Sequence, residues 1–221
     1  MRGLFITFEG CDGSGKSTQI DRLVKRLARE GFHPTVTREP GGTEFGEIVR
    51  RVLLDPQGPD RTALAELFLY SASRAELVSR VIKPALDQGN IVIAERYVDS
   101  TWVYQGYAGG LSVTDVEVVN KIATGNLYPD LTLVLDVSDP LVIHNRLAFK
   151  QKDKIESRTE SYHAMVREGY RRLARLFGDR IKLVDASVSI DEVEERIWTH
   201  VLRALKDRGY NLFNQNEPGR E

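Results

Sequence analysis

Residues 10–17 read Gly-Cys-Asp-Gly-Ser-Gly-Lys-Ser, directly after the apolar run Gly3 to Glu9. A glycine, four free positions and then Gly-Lys-Ser, opening a stretch with Ile20, Leu23, Val24 and Leu27 on one stripe, demands a strand, a tight loop and a helix in succession. Glycines let the loop turn so that successive amides face one point, and the following helix adds its positive end. Such a loop holds a polyphosphate mainly through main-chain donors. Gly10, Cys11, Asp12, Gly13, Ser14, Gly15, Lys16, Ser17 and Thr18 would surround it, with Lys16 on the outer phosphates and Ser17 on a magnesium ion. A chance glycine turn would lack these flanks. Cys11 reads as a small residue tolerated in the turn rather than a redox switch.

Four further apolar runs read as strands: Pro34 to Arg38, Ile91 to Glu95, Leu131 to Asp136 and Ile181 to Asp185. Near-continuous Val, Ile and Leu suits a sheet buried on both faces. Helical patterns alternate with the runs, the last carrying Ile190, Val193, Ile197, Val201 and Leu205 on one stripe behind a Ser189/Glu192 capping box. The expectation is an α/β three-layer fold of the P-loop NTPase type: a five-stranded parallel sheet flanked by helices, its crevice at the strands' carboxyl ends. Residues 1–207 form one domain on this reading, and 208–221, rich in Asn, Gly and charge, form a flexible tail.

A chain of 221 residues, 41% hydrophobic and 29% charged, can bury one real core. Thirty-one basic against 32 acidic side chains leave a net charge of -1, without the global positive field that holds nucleic acid or anionic lipid. Neither partner is expected. The single cysteine excludes an internal disulfide and suits a reducing, cytoplasmic setting. The amino terminus is unlike a signal peptide, and no stretch approaches the ~18 apolar residues of a membrane span.

Among chemistries built on such a loop, a GTPase switch would want Asn-Lys-x-Asp; Asn120-Lys121-Ile122-Ala123 lacks the carboxylate and falls in a helical pattern after the cap Ser112, where a surface helix explains it better. A transporter ATPase would need a signature loop, which is missing. A small-molecule kinase remains. Were the acceptor itself a phosphate, arginines would be needed to neutralise it beside the attack site, and Arg50, Arg74 and Arg96 are the candidates.

Phe5 to Gly10, Thr37-Arg38-Glu39-Pro40-Gly41-Gly42-Thr43, Glu95-Arg96-Tyr97, Asp99-Ser100-Thr101, Tyr104-Gln105-Gly106 and Leu127-Tyr128-Pro129-Asp130-Leu131 together resemble the motifs of thymidylate kinases over nearly the whole chain. The resemblance implies phosphorylation of dTMP to dTDP with ATP and Mg2+ by direct in-line transfer, in dTTP biosynthesis, by a homodimer. It also implies roles. Lys16, Arg96, Glu95 and Asp12 would be catalytic, with Arg96 on the acceptor phosphate, Arg50 assisting and Asp12 near the acceptor's sugar hydroxyl. Arg74 would lie near base and phosphate, Tyr70 would stack on the base, Ser100 and Gln105 would read its edge, and Tyr104 would crowd the sugar in favour of the deoxy form. Glu39 joins the substrate-binding set, and Ser17 with Glu95 would serve the metal.

The resemblance extends to a lid at about 146–158, ahead of Val166-Arg167-Glu168-Gly169-Tyr170. Departures accompany it. Ser14 and the lysines 150, 152 and 154 stand where relatives usually place a catalytic arginine, leaving Arg146 or Arg158 to supply it. Glu95 replaces the commoner Asp, Tyr70 a Phe, and Gly109 an arginine. These changes keep open a kinase for a related nucleotide such as dUMP, or a paralogue that only binds nucleotide.

Overall fold

The computed structural model describes residues 2–139, 142, 143, 146 and 153–210. Five strands, β1 (Phe5–Glu9), β2 (Thr35–Arg38), β3 (Val92–Glu95), β4 (Leu131–Asp136) and β5 (Ile181–Asp185), form one parallel sheet in the order β2-β3-β1-β4-β5. All five expected runs are strands. The first three begin a residue or two late; Pro34, for instance, has no N–H to offer a ladder. Because β1 lies between β3 and β4, the chain crosses from one side of it to the other, which opens a crevice at its carboxyl end.

Alternation along β1 divides the interior. Leu4, Ile6 and Phe8 face helices α1 (Lys16–Arg29) and α8 (Ile190–Asp207), whose expected stripes meet them in one core. The Ser189/Glu192 capping box is formed, and Arg22 and Arg26 of α1 pair with Asp191, Glu194 and Glu195 of α8. Phe5 faces the other layer, where α3 (Ala63–Leu77), a π-helical turn at Val78–Ile82 and α4 (Lys83–Asp87) cover β3. Thr7 and Glu9, on the same face as Phe5, are buried polar groups. Also in that layer lie α2 (Glu44–Leu54), α5 (Val98–Thr101), α6 (Val113–Thr124) and α7 (Glu160–Leu176).

The motif residues Tyr104 and Gln105, which the strand-and-helix reading left without an element, sit in a π-helical segment, Trp102–Tyr107, that widens the end of α5. Two expectations need correction. Asn120 does lie on a helix capped by Ser112, but it is buried rather than on its surface: its Oδ1 accepts from Arg74 at 2.8 Å. The expected tail does not start at 208, since Arg208 pairs with Asp130 and Tyr210 packs edge-on against Phe32 while donating to Gly89 O at 2.9 Å. Residues 211–221 lie outside the described residues, as do Lys150 and Lys152 of the expected lid.

Candidate active site

The phosphate loop follows from its glycines. Gly10 has φ 128°, and a Cβ there would stand 2.5 Å from Leu135 O, so no other residue fits without moving β4. Gly15, at φ 98°, delivers the chain into α1. Lys16 is folded over the loop, its Nζ donating to Gly10 O at 3.2 Å and Cys11 O at 3.0 Å. Burial, then Arg96, lowers its pKa. An arriving polyphosphate would compensate both. Burial pushes the Cys11 thiol up to about 11, which keeps it an unreactive thiol. A cavity of about 430 Å³ opens over the loop, with Arg146 on its wall donating to Gly13 O at 3.2 Å.

A second cavity, of about 250 Å³, lies between the phosphate loop and α2, α3 and the Trp102–Tyr107 segment. Arg96 closes its floor with φ 69°, a left-handed conformation uncommon outside glycine and concentrated at functional sites. Its Nη2 donates to Asp12 Oδ1 at 2.7 Å, and its guanidinium lies 5.1 Å from the Tyr104 ring. Burial opposes its charge, but Asp12 and Glu9 help hold its pKa above the usual arginine value. Glu39, Arg50, Tyr70, Ser100, Tyr104 and Gln105 line the same cavity, so six of the expected acceptor residues join Arg96 there. Arg50 also donates to Pro40 O at 2.8 Å, and burial lowers its pKa.

Arg74 does not line it. The side chain is 1% exposed and its donors go to Glu39, Asn120 and the Tyr97 carbonyl, with Nη2 2.5 Å from Glu39 Oε2. Burial works against the Arg74 cation, yet Glu39 more than offsets it and raises its pKa. Arg74 therefore fixes Glu39, which does face the cavity, and acts one layer behind it. Gln105 is likewise held from behind: Nε2 lies 3.3 Å from Glu66 Oε2, and Arg158 donates to the other oxygen of Glu66 at 2.6 Å.

Asp12, Ser17 and Glu95 line both cavities. Ser17 Oγ donates to Glu95 Oε2 at 2.9 Å at this junction. A hydroxyl and one carboxylate suit Mg2+, which keeps several waters and takes one or two protein oxygens beside substrate phosphates. Within the segment expected to form a lid, Lys154 Nζ reaches Gly58 O at 2.5 Å and Asp60 at 3.0 Å, on the loop between α2 and α3. The sequence reading missed Glu9, Glu66, Asn120 and Tyr170. Of these, Glu9 carried a signal as an acid ending a run that is apolar but for Thr7, and Tyr170 stood in the family-like segment Val166 to Tyr170.

A model of the thymidylate kinase family matches residues 8–197. The thymidylate kinase of Symbiobacterium thermophilum is 48% identical over 205 residues, covering 93% of this chain and 95% of the relative. That of Caldanaerobacter subterraneus subsp. tengcongensis is 44% identical over 206 residues, covering 93% and 98%. The crystal structure of thymidylate kinase from Ehrlichia chaffeensis superimposes with a TM-score of 0.73 at 31% identity, over 91% of this chain and 100% of that one.

Proposed function

The chain belongs to the thymidylate kinase family, ATP-dependent kinases that phosphorylate dTMP, and we propose that it makes dTDP by direct in-line transfer between its two cavities. The observation that carries this reading is the shared wall: Asp12, Ser17 and Glu95 border both the phosphate-loop cavity and the cavity of Arg96. ATP occupies the first and dTMP the second, so the acceptor phosphate oxygen meets the γ-phosphorus at that wall.

Catalysis then needs charge neutralisation and alignment rather than a covalent intermediate. Loop amides and Lys16 hold the donor phosphates. Ser17 and Glu95 would hold Mg2+, which would supply neutralisation of the charge on the donor oxygens. Arg96 takes the acceptor phosphate with help from Arg50, while Asp12 orients Arg96 and lies near the acceptor sugar. Tyr70 stacks on thymine, Gln105 and Ser100 read its polar edge, and Tyr104 disfavours a ribose hydroxyl. Arg74 serves through Glu39. Of the two arginines open for the transition state, Arg146 has the better support, because it borders the donor cavity whereas Arg158 is committed to Glu66.

The chain acts as one catalytic domain that takes in Arg208 and Tyr210, with 146–158 closing over ATP. A homodimer is supported by exposed apolar side chains on neighbouring helices: Phe45, Ile48 and Val52 of α2, and Leu64 and Phe68 of α3. Among the described residues no helix is long and apolar enough to cross a membrane, which is compatible with a cytoplasmic setting.

The test is ADP release with ATP and Mg2+ in the presence of dTMP, dUMP, dCMP, dGMP or no acceptor, with Lys16→Ala as blank. Turnover confined to dTMP supports the assignment. Equal turnover with dUMP would move the specificity, since one methyl in a pocket is worth only about 1–3 kcal/mol. Nucleotide binding without turnover on any acceptor would leave a binding paralogue.

A further inference from the structure

Glu9 ends β1 at the middle of the sheet with no exposed surface, and both oxygens of its carboxylate are engaged. Oε1 accepts from the backbone N–H groups of Tyr97 at 2.8 Å and Ser100 at 3.3 Å. Oε2 meets the hydroxyls of Ser100 at 2.6 Å and Tyr170 at 2.8 Å. The far side of the same two hydroxyls faces Arg96, whose Nη1 lies 3.1 Å from Ser100 Oγ and 3.2 Å from Tyr170 Oη. A guanidinium can only donate, so both hydroxyls accept from Arg96 and each keeps its own proton to give. An ionised Glu9 takes both. Hydrogen bonding therefore runs one way, from Arg96 through two hydroxyls to one carboxylate oxygen.

We propose that Glu9 is a positioning residue for the acceptor phosphate: through Ser100, Tyr170 and the backbone at Tyr97 it holds Arg96 in its left-handed conformation, with Nη2 turned to Asp12. This rests on the reading of Arg96 as the group that takes the acceptor phosphate. The geometry explains why an acid ends a strand that is otherwise apolar but for Thr7. It also explains how a non-glycine residue keeps φ 69°, since residues on both sides of it are tied down: Glu95 by the sheet and Tyr97 by Glu9.

The arrangement has a pH signature. Burial raises Glu9 to about 7, the carboxylate of Asp99 adding to the rise and Arg96 and the two hydroxyls opposing it. Other charged groups face it: Arg74 from α3, and Arg180, which is paired with Asp99, from the turn before β5. Protonation would turn one hydroxyl link around and loosen Arg96. Acceptor kcat/KM should thus fall as pH drops through about 7. The acceptor's own second phosphate ionisation, at about 6, is common to all variants and cancels in their comparison.

The test measures kcat, KM for dTMP and KM for ATP against pH in the wild-type protein, Glu9→Gln and Tyr170→Phe. Glu9→Gln is expected to lower kcat/KM for dTMP by roughly 10- to 100-fold, the scale of a reactive contact displaced by about an ångström. It should leave the KM for ATP essentially unchanged and remove the limb near pH 7. Tyr170→Phe, which deletes one link, should give a smaller loss with the limb retained. Wild-type kinetics and an unchanged limb in Glu9→Gln would overturn the proposal, as would equal losses on the donor and acceptor sides. If Glu9→Gln does not fold, wild-type acceptor kinetics in Tyr170→Phe would overturn it instead. Wild-type turnover of dTMP is the control that separates failure of this inference from failure of the kinase reading.

Discussion

At the scale of single residues the proposed chemistry rests most heavily on Arg96. It lies half-buried among Asp12, Ser100, Tyr170 and Tyr104 on a backbone conformation that costs on the order of 1–3 kcal/mol, held by its surroundings. Arg96→Lys keeps a charge but loses the fork that contacts Asp12 and both hydroxyls at once. Its kcat is expected to fall by about 10²- to 10³-fold in steady-state kinetics, with the far-UV spectrum unchanged. Lys16→Ala should abolish measurable turnover, because the loop's only side-chain cation is gone. Lys16 was legible in the sequence from the Gly-x4-Gly-Lys-Ser pattern, and Arg96 from its place directly after an apolar run, where composition changes abruptly. Arg74 stood out in the sequence as a candidate, but its burial did not: on a helix of weak amphipathicity nothing in the spacing told that its partners would be Glu39 and Asn120, 35 and 46 residues away.

Among elements, the fold was plain wherever periodicity was strong. β5 has the expected limits, and α8 begins at its capping box. Periodicity gave no sign of the two π-helical segments, the second of which, Trp102–Tyr107, carries Tyr104 and Gln105 on the wall of the cavity beside Arg96. The Glu39–Arg74 pair joins the loop after β2 to α3, and its energetics follow from burial. Arg74→Leu strands an unpaired carboxylate in the interior and should cost about 3–5 kcal/mol in urea unfolding. Replacing both partners, Arg74→Leu with Glu39→Leu, should cost less than the single change. At the start of α8, Ser189→Ala removes the cap and should cost about 1 kcal/mol.

Taken as a whole, the molecule sets stability against function at Glu9. Folding raises this carboxyl from 4.5 to about 7, so between those values the folded state binds more protons than the unfolded one. Its contribution to stability is therefore fully present below the unfolded value and is lost as pH rises through about 7. Thermal melts across that window should show the wild-type protein losing stability relative to Glu9→Gln as pH increases. Sedimentation should give a dimer, and Phe68→Glu on the apolar face of α3 should give a monomer, since the patch it shares with α2 is otherwise left in water. The central claim is that donor and acceptor meet at the wall of Asp12, Ser17 and Glu95. A bisubstrate probe tests it most directly: adenosine and thymidine joined 5′ to 5′ by five phosphates, titrated calorimetrically beside ATP and dTMP. The account predicts one probe per chain, bound more than about 10²-fold tighter than either nucleotide and weakened by Arg96→Lys. A probe that binds no tighter than ATP, indifferent to Arg96, would contradict it.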